Sequence, residues 1–417
     1  MIDKRKELVF LMIEQQKIKT VKIYDKDPLC TEFEAKVIFC KKNVKGRYEI
    51  ILDRTAFFPG GGGQVCDTGI IASVSDAQNG TAVLEVKASG ESIVHETDRY
   101  FPPETAVLGC VNRETRISGM EAHSGEHIVS ALMHRRFGFH NVGFHIGSKD
   151  ITADFDGVVT EEQMALIEDE ANAAVRADLP ITVVYPDEKE LETLEYRSKL
   201  ELTSDVRIVC IGELDKCACC APHLPSTGRI GLIKITGFVH YKGGIRVHML
   251  CGSAALSYVR EEERINARLC TLLSSKPEKL LESVSRLLDE NKKLSAEIAM
   301  LNDSVNSAIC RTLENNSVPL CLFDGRKDVT AIRKLAISAS GYIGLPVGVF
   351  GGSDGDFRFV IAGSDLKAPY SVFSDLLNCR GGGSDSLVCG SVSACRKEIS
   401  EAWTKAFASA FEIKMYD

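Results

Sequence analysis

The 417-residue chain has no apolar run of about 18 residues or more, so none of its segments reads as a membrane-spanning helix. Its start, "MIDKRKELVFLMIEQQ", alternates charge with apolar residues and lacks the continuous apolar stretch and small-residue cleavage site of a secretory signal. A cytoplasmic protein with no membrane partner is the expectation. The 15 cysteines are many and odd in number, without the dense, regular spacing of a small disulfide scaffold. Most are expected to be reduced thiols packed as small apolar residues. Only "CACC", Cys217 to Cys220, is clustered enough to suggest chemistry. There is no internal repeat, no long low-complexity tract, no G-x-x-x-x-G-K-[ST] phosphate loop and no spaced dinucleotide fingerprint. A net charge of −8 excludes a uniformly basic protein but leaves local basic patches, "KKNVKGR" (Lys41 to Arg47), "HRRFGFH" (His134 to His140) and Arg380.

The length suggests several cores. Short β-branched runs separated by Gly, Asp and Asn turns fill residues 18 to about 100: "VKIY", "FEAKVIFCKK", "YEIILDRTAFF", "GIIASVS" and "AVLEVKAS". From about 104 the pattern is mixed. "RETRISGMEAHSGEHIVSALMHRRFG" predicts a long helix stopped by Gly138, and "TEEQMALIEDEANAAVRAD" a second one capped by Thr160. Strands are expected at "ITVVYP", "RIVCIG", "GLIKIT" and "IRVHML". Residues 254 to about 310 are polar and helical with a break at Pro277, and Leu280, Val284, Leu287, Asn291, Leu294, Ile298, Leu301 and Val305 follow a heptad seam. Alternating strands and helices close the chain. The expectation is an α+β protein divided into a β domain over 1–103, a mixed α/β domain over 104–255, a helical, coiled arm over 256–312 and a C-terminal α/β domain over 313–417.

"HSGEH", residues 123 to 127, places His123 and His127 four apart, on one face of a helix, where both reach one metal ion. The same letters fit H-x-x-E-H, the inverted zinc-peptidase motif, with Glu126 as base and an acidic third ligand downstream, such as Glu168 or Glu170. The alternative partner is "CACCAPHLPSTGRIG", in which Cys219 and His223 have C-x-x-x-H spacing in a Pro- and Gly-rich turn. Two imidazoles, a thiolate and a further imidazole form a donor set suited to zinc. Spacing selects Cys219, with Cys217 and Cys220 open as substitutes. Whether three or four protein ligands bind at once, the difference between a catalytic and a closed structural site, is open at this stage.

"LDRTAFFPGGGGQVCDTG", residues 52 to 69, carries four glycines flanked by Thr55 and Gln64, able to bring backbone and two polar side chains close to a small ligand. Taken in order, LDRT-x-F-x-P-x-GGGQ-xx-DTG, H-x-x-x-H and C-x-x-x-H-xxx-TG-x-IG resemble the stand-alone alanyl-tRNA editing proteins of the AlaX type, which are similar to the editing domain of alanyl-tRNA synthetase. The likeness covers residues 18 to 255. The arm and "RGGGSDSLVCGS" resemble the long form of the family, with its DHH-associated C-terminal domain.

That resemblance implies a β-barrel-like first domain and a zinc-containing editing domain. It implies hydrolysis of mischarged tRNA(Ala), chiefly seryl-tRNA(Ala) with glycyl-tRNA(Ala) as a further candidate, at zinc held by His123, His127, Cys219 and His223. Gly62, Gly63, Gln64 and Thr55 would line the substrate pocket, Thr55 reading the serine hydroxyl. Glu126 need not be the base, and with no side chain assigned as catalytic, a zinc-associated water is the expected nucleophile. The chain would act in trans on released aminoacyl-tRNA, as a homodimer through the arm or the C-terminal domain. Two departures stand out: Cys-Ala-Pro where Gly-Gly-Thr is usual between Cys219 and His223, and Ser-Gly-Glu where Thr-Ala and a polar residue are usual between the histidines. A zinc peptidase, a tRNA-binding module with structural zinc, and an editor of seryl-tRNA(Thr) are the competing readings.

Overall fold

A computed structural model describes residues 19–147, 150–198, 206–313, 316–325, 328–407 and 414–416. The opening stretch 1–16 and the part of the last expected helix beyond residue 407 lie outside the described residues. The chain is mixed α+β and divides into two compact units, Met1–Asn266 and Ala267–Asp417.

The first unit opens with six strands: β1 (Glu32–Lys42), β2 (Tyr48–Leu52), β3 (Gly69–Ser73), β4 (Asp76–Ser89), β5 (Ser92–Thr97) and β6 (Ala106–Val111). They close into a barrel in the order β1-β2-β5-β4-β3-β6, leaving no free sheet edge. Strand periodicity decides what fills it: in β1, Phe33, Ala35 and Val37 turn inward while Glu32, Glu34 and Lys36 face out. "VKIY" departs from the expected strand, pairing only at Val21–Lys22 before a helical turn over Ile23–Lys26.

His95, on β5, is buried inside this barrel. Its Nδ1 lies 3.2 Å from the Ile50 carbonyl oxygen, which can only accept, so Nδ1 carries the proton. Nε2 is then the acceptor for the Thr55 hydroxyl at 2.9 Å. Burial pushes His95 down to about 4.

After the barrel, the first unit continues with α1 (Arg113–Phe137), β7 (Asn141–Ile146), β8 (Ile151–Phe155), α2 (Glu161–Arg176), β9 (Ile181–Val184), β10 (Ile208–Ile211), β11 (Asp215–Ala218), β12 (Ile233–Tyr241) and β13 (Gly244–Cys251). The helix signals act where the sequence placed them: Gly138 ends α1 in the left-handed region at φ 72°, and Thr160 forms a capping box with Gln163 ahead of α2. An antiparallel sheet in the order β12-β13-β8-β7 packs against α1 and α2 over Met120, Ile128, Ile167, Val247 and Met249. A second sheet, β9-β10-β11, carries the segment that leads to Cys219.

Helix α1 is tied to the barrel by an ion pair. Arg116, with no exposed surface, donates to the Asp67 carboxylate and to the carbonyls of Pro28 and Ala56. Asp67 also accepts the Phe58 amide at 2.6 Å.

Helix α3 (Gly252–Leu272) runs across the boundary between the two units, and α4 (Leu280–Thr312) opens the second after a turn begun by Pro277. The seam residues Leu287, Leu294, Ile298 and Leu301 of α4 are all more than half exposed. The second unit continues with β14 (Leu320–Asp324), α5 (Val329–Ile343), β15 (Val347–Ser353), β16 (Asp356–Ala362), α6 (Lys367–Leu377), β17 (Arg380–Gly383), β18 (Leu387–Val392), α7 (Arg396–Phe407) and β19 (Lys414–Tyr416). Its sheet has the order β17-β18-β16-β15-β14-β19, covered on one side by Phe350, Phe359, Phe373 and Trp403.

Two outcomes follow from the buried polar groups. Arg116→Met strands Asp67 as an unpaired buried charge, and should cost about 3–5 kcal/mol, read as a lower urea midpoint at unchanged slope. His95, neutral when folded, titrates near 6.5 once unfolded, so the unfolded chain gains a proton that the native state refuses. Stability present above about pH 6.5 is therefore lost as pH falls toward about 4. The urea midpoint should drop more between pH 7 and 5 in the wild type than in His95→Gln.

Candidate metal centre

The glycine run explains how the barrel reaches the helix. Gly60, Gly61, Gly62 and Gly63 all have positive φ, at 81°, 138°, 59° and 87°, which side-chain-bearing residues rarely adopt. The loop folds back on itself through reciprocal Gly61–Gln64 backbone hydrogen bonds of 3.0 and 3.1 Å, and is anchored to β7 by the Ile146 amide on the Gly63 carbonyl at 3.1 Å. Gln64 is thereby turned toward α1. Gly119 makes room for it, since a Cβ there would stand 2.9 Å from Gln64 Nε2.

On α1, His123 and His127 present their rings to the segment after β11. His123, His127, Cys219 and His223 each bring one donor atom to a common point, all within 4.8 Å of one another. Cys219 Sγ lies 3.4 Å from His123 Nε2 and 3.4 Å from His223 Nε2. Of the three neighbouring thiols, Cys219 is the one brought to all three imidazoles. Cys217 groups instead with His127 and Asp215, and Cys220 is exposed, its sulfur 3.3 Å from where a Cβ on Gly61 would be. Arg207 holds the loop by donating to the carbonyls of Cys219 at 2.7 Å and Ala221 at 2.9 Å.

The outer nitrogen of each imidazole is occupied. His123 Nδ1 donates to Gln64 Oε1 at 3.1 Å, and His127 Nδ1 donates to the Asp215 carboxylate at 3.3 Å. Each acceptor lacks a proton to give, so Nδ1 carries a hydrogen and Nε2 is the nitrogen left to face the common point. His223 Nδ1 lies 3.3 Å from Ser124 Oγ, which also accepts the Leu224 amide. Asp215 is in turn held by Arg197 through a two-point contact of 2.7 and 2.8 Å.

Electrostatics fit this arrangement. Burial would raise the Cys219 thiol, but His123 and His223 beside it pull it well below the ordinary thiol value. Burial pushes His223 down to about 3. Burial would likewise raise the Asp215 carboxyl, yet Arg197 and His127 hold it down to about 2.

A cavity of about 950 Å³ opens beside this cluster, lined in part by Gly62, Gly63, His123, His127, Phe144 and Cys219. Gln64 and Thr55, expected to line a substrate pocket, are not among the lining residues. Gln64 is turned to His123, and Thr55 is fully buried in the barrel, where its hydroxyl is engaged by His95 and accepts the Phe57 amide at 3.1 Å. Sequence reasoning passed over Asp215, Arg197, Ser124 and Asn141. Asp215 had one available signal: it alternates with Cys217 along a strand that leads into Cys219, so both share a face.

Glu126 is neither a surface residue nor a member of the four-ligand cluster. It is 5% exposed, lines the cavity, and accepts from Ser130 Oγ and Asn141 Nδ2.

Residues 206–270 match the family model described as the threonyl and alanyl tRNA synthetase second additional domain. An alanine–tRNA ligase from Pyrobaculum neutrophilum is 30% identical over 413 residues, covering 94% of this chain and 44% of the ligase. The alanyl-tRNA editing protein AlaX-L from Pyrococcus horikoshii is 29% identical over 295 residues, covering 68% of this chain and 71% of that protein. The chain thus spans less than half the length of these ligases, 44% and 46% for the two Pyrobaculum proteins from P. neutrophilum and P. aerophilum. A solved RecJ structure from Thermus thermophilus aligns at 15% identity and a TM-score of 0.25, over 40% of this chain and 26% of its own. The three ordered motifs, the family model and the two sequence matches agree: the chain is a relative of the alanyl-tRNA editing protein AlaX-L and of the alanine–tRNA ligases.

Proposed function

We propose that this protein is an aminoacyl-tRNA deacylase that removes wrongly attached serine, and glycine, from tRNA(Ala). The observation that carries the reading is the convergence of His123, His127, Cys219 and His223 beside a cavity that the glycine loop also lines. Similarity to an alanyl-tRNA editing protein supports it.

The donor set fits zinc: three imidazoles whose outer nitrogens are engaged and a thiol drawn toward thiolate, gathered at one point. When bound, zinc would supply an electrophilic charge next to the cavity and lock the Cys219–His223 loop onto α1. Asp215 and Arg197 fix the His127 ring, Gln64 the His123 ring and Ser124 the His223 ring. The reaction opens an ester: water adds to the acyl carbon, the bond to the ribose oxygen breaks, and that oxygen leaves as the terminal hydroxyl.

Such an activity answers a limit of selection by size. A pocket shaped for alanine cannot strongly reject glycine, which is smaller, or serine, which adds a hydroxyl. A second site rejects alanine by leaving a buried polar group unpaired. His134, His140 and Tyr196 also line the cavity, and their rings suit stacking with the terminal nucleotide of a tRNA. The exposed seam of α4 supports pairing of two copies through that helix.

Seryl-tRNA(Ala) incubated with zinc-loaded protein should be hydrolysed while alanyl-tRNA(Ala) persists, with His123→Ala inactive. Hydrolysis of neither ester by folded, metal-bound protein would replace the enzyme reading with a tRNA-binding module. Asp215→Asn should weaken zinc binding about 10–100-fold, measured by competition with a chromophoric chelator, since the carboxylate holds His127 and its loss frees Arg197. An unchanged affinity would overturn the role given to Asp215 in holding His127, and a wild type that takes up no zinc would remove the metal from the reading.

A further inference from the structure

Helix α1 also carries an acidic side chain into the cavity wall. Glu126 is buried, and among the described residues it is the one carboxylate lining the cavity wall. Its partners are neutral, and both engage the same oxygen: Ser130 Oγ and Asn141 Nδ2 donate to Oε1, while Asn141 Nδ2 also reaches Ser130 Oγ at 2.9 Å. Arg197, close enough for its charge to interact with Glu126, is committed to Asp215 by its two-point contact. Buried charges ordinarily have a partner of opposite sign. Here the protein supplies two neutral donors to one oxygen of a cavity-lining carboxylate, and no described residue donates to the other.

We propose that Glu126 receives the α-ammonium group of the aminoacyl ester through its second carboxylate oxygen. The inference rests on the editing reading and deepens it. An aminoacyl ester carries a cation one carbon from the carbonyl that is attacked, so an anion fixed in the cavity wall orients that carbonyl relative to the cluster. Ser130 and Asn141 hold the carboxylate in place. The consequence is selection by charge: esters with a free α-ammonium are retained, whereas N-acylated esters, including those of growing peptides, lose the contact. Glu126 is then a binding residue, distinct from the base of the peptidase reading.

The test uses the full chain loaded with zinc and two non-hydrolysable probes, 3′-(L-serylamino)-3′-deoxyadenosine and its counterpart with a hydroxyl in place of the α-amino group. The wild type should bind the amino probe about 10–100-fold more tightly, the range of a hydrogen bond to a charged group. Glu126→Gln keeps an acceptor for Ser130 and Asn141 but loses the charge, and should bring the ratio near one while zinc content stays constant. The wild-type ratio needs no variant to fold, and a value near one overturns the proposal by itself. A preference that survives in Glu126→Gln, an equal loss of both probes, or no binding of either probe to the wild type also overturns it. Hydrolysis of seryl-tRNA(Ala) followed in parallel separates the two claims. Ammonium-dependent binding without hydrolysis would keep the Glu126 assignment and remove the deacylase.

Discussion

A thiol surrounded by three imidazoles in a buried place is the constraint to which the first unit is built. Left to rotate, each imidazole would turn to find solvent or a neighbour. Instead each has its outer nitrogen engaged, by Gln64, Asp215 and Ser124, so the inner nitrogens point at Cys219. These three partners come from different places: a barrel loop, the strand before Cys219, and α1 itself. The convergence of the four donors is therefore a property of the packed unit. It requires the barrel, the helix and the three-stranded sheet to be in register at once.

That requirement gives the glycine run and the Arg116–Asp67 pair a common purpose. The run bends the loop through left-handed conformations so that Gln64 arrives at His123, while the pair a few residues later fixes the same segment to the first turn of α1. Both contacts lie along one helix, Arg116 near its start and His123 two turns on. A shift of the barrel relative to α1 would have to break a buried ion pair, which explains why such a pair is retained where an apolar contact would also pack.

What could be read from the sequence was local. Gly138 and Thr160 mark helix ends by rules that need only a few neighbours, the alternation in β1 assigns inside and outside, and H-x-x-x-H with C-x-x-x-H defines ligand types by spacing. What escaped was long-range pairing. Thr55 looks like a free polar residue beside the glycines, but its partner His95 is forty residues away across the barrel. Gln64 stands beside the glycines with no local sign that His123, fifty-nine residues on, engages its amide oxygen. Arg197 has no local signal at all, because its importance comes from Asp215 on a strand it meets only in the folded unit. Motifs name the donor atoms, and tertiary structure decides which other polar groups remain available to a ligand.

That allocation bears on how selectivity arises. Gln64, Asp215, Ser124 and Arg197 are committed to holding imidazoles or to one another, and the Thr55 hydroxyl is committed inside the barrel. Four protein donors would give a bound ion a closed coordination sphere, in which it would shape the cavity wall. In the proposed deacylase, discrimination between esters would fall to other groups on the cavity wall, among them Gly62, Gly63, Tyr196 and the carboxylate of Glu126. Among these, only the carboxylate carries a negative charge, and an aminoacyl ester presents one positive charge beside its reacting carbon. Side-chain size separates serine, alanine and glycine weakly, so a fixed charge that oriented the common part of all three would leave any small difference at the side chain to be expressed in the rate of ester opening.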